Sequence, residues 1–170
     1  MRFSPKPVSG REWTGLAAGV VAVGALFLPW TNLTATRQDT EDALSSLPAS
    51  DVARNAWATG ILAWSGPVLL VLAGIAVVLL GQHHVARVSG LPQLWLIATV
   101  VSIALMAFSW LAIHHQFAED VRALLDAGGI AAYGGIGRYL ALAAALVSLV
   151  VSVLDARSLR RRGSTKTRRS

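Results

Sequence analysis

Residues 56–81 read AWATGILAWSGPVLLVLAGIAVVLLG, 26 positions without a charged side chain. At about 1.5 Å of rise per helical residue, that length exceeds a hydrocarbon core about 30 Å thick. Three other stretches have the same character: 13–30, 92–114 and 134–154. Together they predict an all-α membrane protein, an antiparallel bundle of four transmembrane helices spanning residues 13–154. A polar tail (1–12) precedes it and a basic tail (155–170) follows, and the two longer connections each carry a short amphipathic helix.

Composition supports this reading. Apolar residues make up 54% of the chain and charged residues 14%, against about 25% charged in soluble domains. There is no cysteine, which excludes disulfides, thiolate metal sites and thiol nucleophiles. The net charge of +6 raises the question of nucleic acid, but seven of the fifteen Lys and Arg residues follow Leu154, beside an apolar segment. A bilayer surface attracts basic residues at such a position, and no folded reader of nucleic acid accompanies them.

The first apolar stretch is bracketed by Trp13 and Trp30, 17 positions apart, or about 26 Å along a helix. Indole rings favour the headgroup level, and Pro29 ends the helix. The stretch is long for a signal-peptide core and is read as a retained helix. Gly15, Gly19 and Gly24 form a small-residue face for helix packing. In the second stretch Gly66-Pro67 predicts a static kink. Residues 40–47, TEDALSSL, predict a surface helix with Thr40 as N-cap. Residues 117–126, FAEDVRALLD, predict another, broken by Gly128-Gly129. The tail from Asp155 has the composition of a disordered segment.

Charge counting sets the orientation. The N-terminal tail, the middle connection and the C-terminal tail hold eleven basic residues against two acids. The two long loops hold four against seven, counting Arg138. The positive-inside rule places both termini in the cytoplasm and both long loops outside, making this a multi-pass protein of the cell inner (plasma) membrane.

Few residues suggest chemistry. Arg138 stands near the start of the fourth span, where a charge is costly and often functional. Three readings stay open: snorkelling to headgroups, an intramembrane ion pair with Glu119, Asp120 or Asp126, or a ligand contact. The pairs His83-His84 and His114-His115 fall at opposite ends of the third helix, about 45 Å apart, so they cannot share an ion, and no metal site, cofactor or catalytic set is predicted. GGIG at 134–137 lacks the dinucleotide pattern and is read as permitting close packing. In the tail Arg160, Arg161, Arg162, Lys166, Arg168 and Arg169 are predicted to contact anionic lipid.

FLPWTNL after the first helix, GGIGRYLALAAAL opening the fourth, and the basic tail together resemble small four-transmembrane-helix membrane proteins of actinobacteria. The resemblance covers the layout of the chain. It implies a four-span fold and an envelope setting, and it carries no activity and no residue roles. The functional expectation is a non-enzymatic membrane protein, an accessory or scaffold subunit of a cell-envelope complex that contacts a membrane protein partner or forms a homo-oligomer. The alternative is a small oligomeric transport or channel-forming protein.

Overall fold

The computed structural model describes residues 9–82, 90–113 and 119–167, without the side chains of residues 43, 51, 120, 124 and 159–167. The elements in chain order are α1 (Gly10–Gly24), a 3-10 turn (Ala25–Phe27), β1 (Pro29–Ala35), α2 (Gln38–Ser45), α3 (Ala49–Val52), β2 (Ala53–Asn55), α4 (Ala56–Thr59), α5 (Ile61–Leu80), α6 (Leu91–Leu111), α7 (Glu119–Ala127), β3 (Ile130–Gly134) and α8 (Ile136–Thr167).

The protein is mostly helical, and α5, α6 and the first 23 residues of α8 are each long and apolar enough to cross a membrane. α1 packs against α5 and α8, and α6 packs against the same two. The interior between them is rich in alanine, with Ala18, Ala22, Ala63, Ala141, Ala144 and Ala145 buried around a few large side chains, among them Leu26, Leu70, Trp95 and Met106. Many large side chains point the other way, with Val20, Leu72, Leu79, Ile97, Phe108 and Val150 all exposed. So many exposed large apolar side chains depart from the surface of a water-soluble protein, and the small residues between helices suit packing within hydrocarbon.

Glycine sets how closely the helices approach. A Cβ on Gly19 would stand 2.7 Å from the Val71 Cα of α5, and one on Gly74 would stand 3.0 Å from the Leu16 Cα of α1. A Cβ on Gly15 would enter the ring of Trp95 on α6, and one on Gly66 would stand 2.9 Å from the Ser102 carbonyl oxygen. Of the predicted packing face, Gly15 and Gly19 thus lie at close helix approaches, to α6 and α5. The face does not extend to Gly24, which is exposed with nothing within 4 Å of a Cβ position, because the helix tightens there into its 3-10 turn.

The sequence reading gave no β-structure, and the structure corrects it. Three strands form one sheet in the order β2-β1-β3, antiparallel throughout. β1 pairs with β3 from Thr31↔Gly134 to Ala35↔Ile130, and with β2 at Pro29↔Asn55, Thr31↔Arg54 and Asn32↔Ala53. Pro29 ends the helical run but starts a strand, where a first position needs no amide donor. Trp30, expected at the lipid surface, is buried in the sheet.

Other boundaries also differ. The stretch 56–81 divides at Gly60, whose φ of 121° interrupts the helix between α4 and α5. Asn55 caps α4 by accepting the Ala58 N–H at 3.1 Å. Thr40 lies inside α2, and its hydroxyl donates to the Gly128 carbonyl at 3.2 Å. Beyond Leu154 the backbone stays helical through Thr167, since adding a residue to an existing helix is far easier than nucleating one.

Gly19→Leu is expected to destabilise the protein by about 1–3 kcal/mol through overpacking against Val71, while Gly24→Leu is expected to change little. Thermal unfolding in mild detergent, followed by circular dichroism, checks the pair.

Candidate functional site: the buried arginine at the sheet end

Arg138 is the third residue of α8 and is only 4% exposed. Two other elements, β1 and α6, converge on it. Its Nε–H donates to the Trp30 carbonyl of β1 at 2.6 Å, Nη1 donates to the Ser109 carbonyl of α6 at 3.0 Å, and Nη2 donates to the Thr31 hydroxyl at 3.2 Å. The guanidinium carbon lies 5.8 Å from the centroid of the Trp30 ring, within reach of a cation–π attraction.

The local sequence makes room for this. A Cβ on Gly135 would collide with the Pro29 carbonyl, and one on Gly137 would stand 2.6 Å from the Trp30 ring. The GGIG segment thus lets the start of α8 dock against β1, as its close-packing reading expects. Trp30 is itself held by its indole N–H, which donates to the Ala25 carbonyl at 2.7 Å. Its carbonyl also accepts the Gly135 N–H at 2.9 Å, so Trp30 O serves both the sheet and the arginine. Beside them Trp110 and Tyr139 meet edge to face, with centroids 5.0 Å apart.

The charge on Arg138 is met by oxygen dipoles. Ser109 belongs to the last turn of α6, where helix carbonyls lack intrahelical donors and the macrodipole end is negative. A cation there is favourable without a carboxylate. Of the expected partners, Glu119 and Asp126 are exposed, and the side chain of Asp120 lies outside the described residues. Burial also disposes of snorkelling to the headgroups.

The remaining predicted residues divide between described and undescribed positions. Both histidine pairs, Arg168 and Arg169 lie outside the described residues. Arg160, Arg161, Arg162 and Lys166 fall on the helical extension of α8, with side chains not described. Among the described residues no group of three His, Cys, Asp or Glu side chains could hold a metal ion.

At the opposite end Glu12 is 3% exposed. It forms a capping box with Ser9: the Ser9 N–H donates to Oε2 at 2.9 Å and the Glu12 N–H donates to the Ser9 hydroxyl at 3.4 Å. The sequence signal was present in Ser9-Gly10-Arg11-Glu12, the S-x-x-E pattern that opens a helix. Glu12, Trp95 and Asp155 line a cavity of about 10 Å³, room for about one water. Comparison with protein-family models, curated proteins and solved structures finds no match.

Arg138→Met is expected to lower stability by about 3 kcal/mol, because it strips charge-assisted donors from buried acceptors. Arg138→Lys is expected to recover less than half of that, since one ammonium cannot reproduce the planar fork. Denaturant titration in detergent micelles measures both.

Proposed function

We propose that the protein is a non-enzymatic integral membrane subunit, an accessory or scaffold component of a cell-envelope complex. In this reading α1 joins the three apolar helices as a fourth span. α1 and its 3-10 turn cover residues 10–27, about 27 Å of helix and close to the hydrocarbon thickness. Both termini lie on the cytoplasmic side, the sheet and its acidic loops lie outside, and the basic tail meets anionic lipid.

The carrying observation is the helix packing: backbone-close contacts through glycine, with many large aliphatic and aromatic side chains exposed along the apolar helices. Such a body interacts through its surfaces. Phe27, Trp57 and Trp64 form one aromatic row on that surface, with successive ring centroids 6.2 and 5.6 Å apart, the kind of group that favours a membrane interface. The sheet end adds an aqueous docking face above the spans. One observation favours the rival reading, an oligomeric transport or channel-forming protein: Thr99, Ser102, Ser148 and Ser152 are fully buried hydroxyl residues, and the Ser148 oxygen has no partner among the described residues.

Affinity purification from native membranes in mild detergent, followed by mass spectrometry, is expected to recover a stoichiometric membrane partner. A homogeneous monomer that passes solute across reconstituted vesicles would overturn the subunit reading. The absence of cysteine makes the topology directly testable. Asp126→Cys is expected to react with a membrane-impermeant maleimide in intact cells, and Ser164→Cys only after lysis.

A further inference from the structure

The sheet ends in an edge that is built to be extended. The β1–β3 register pairs Asn32 with Tyr133 and Thr34 with Ala131, and the flanking bonds Gly135 N–H to Trp30 O and Thr36 N–H to Gly129 O keep the same phase. In an antiparallel ladder every second residue bonds to the neighbour and the residues between turn their groups away. Ile130, Ala132 and Gly134 therefore direct their backbone N–H and C=O away from β1. Among the described residues no strand pairs with that side.

Natural edges are blunted by charge, proline or a bulge. β3 reads IAAYG, with no charge, no proline and no register shift against β1. Ile130, Ala131 and Ala132 are half-buried, and Tyr133 is exposed. The surroundings are acidic. The Asp126 carbonyl accepts the Gly129 N–H at the turn into the strand, and the Thr40 hydroxyl donates to the Gly128 carbonyl, joining α2 to the same turn. Exposed Asp39, Glu41 and Asp42 stand on α2, which packs on β1, and exposed Glu119 and Asp126 on α7, which packs on β3; exposed Arg37 and half-buried Arg54 and Arg122 leave this end net acidic.

The geometry points to β3 as the acceptor for an extended, basic segment of an extracytoplasmic partner protein, added as a fourth strand beside Ala132. Backbone bonds supply the strand pairing, and the acidic rim selects Lys and Arg on the flanks. A second copy is the less suitable occupant, because it would bring two acidic rims together. The inference rests on the subunit reading and its topology, and gives that subunit its docking face.

The test uses the full chain in lipid nanodiscs and fluorescent peptides of alternating threonine and valine, flanked by lysines or by glutamates. The lysine-flanked peptide is expected to bind at least about tenfold more tightly at low salt, the gap narrowing as salt screens the rim. N-methylation of its alternate amides, which removes the donors facing the edge, is expected to abolish binding. Ala132→Pro is expected to do the same with an unchanged thermal midpoint, since its lost N–H faces away from β1. If that variant does not fold, the N-methylated peptide decides. Equal binding of both flanks, full binding of the N-methylated peptide, or no binding overturns the inference. So does a disulfide-linked dimer of Ala132→Cys in native membranes, which puts a second copy on the edge. Loss of peptide binding with partner recovery intact sinks the edge and spares the subunit reading. Peptide binding with no partner recovered does the reverse.

Discussion

The carbonyl oxygen of Trp30 is where the chain stops being helical beside the ends of long apolar helices, and its hydrogen bonds decide what can form there. Trp30 is buried, so its backbone has little water to fall back on. Trp30 O accepts from Gly135 and from Arg138, so the sheet and the last helix are fastened at one atom. The arginine also reaches the Ser109 carbonyl, tying in the end of α6. Remove the guanidinium and both β1 and α6 lose a common donor, each where replacement by solvent is costly.

This arrangement explains how a buried charge is met, among the described residues, by dipoles and an aromatic face. Backbone carbonyls at a helix end, one hydroxyl and an aromatic face share the compensation. Arginine suits the task because its fork offers several donors in fixed directions, whereas an ammonium offers a single compact point. The glycines of the GGIG segment are the steric condition for it, because side chains at Gly135 or Gly137 would hold β1 away.

The apolar helices were legible from their uninterrupted length, and the close approach at Gly15 and Gly19 from small residues at helical spacing. The sheet was not. Its strands are three to seven residues long, and β1 finds β3 about a hundred positions away, so no local alternation announces the pairing. Threonine, asparagine and alanine in β1 read as a polar connection when taken alone. For Arg138 the unusual position was visible but its partners were not, because two are main-chain carbonyls, which carry no residue-specific signature. The capping box of Ser9 and Glu12 is different: four adjacent residues hold the whole signal.

The last helix follows from Arg138 as one unbroken rod of 32 residues, about 48 Å from end to end. That exceeds the roughly 40–45 Å of a whole bilayer with its headgroups. α5, by contrast, holds a proline at position 67 inside its length. A rod without such an interruption joins the guanidinium's grip on the sheet and the basic end as the two ends of one rigid element.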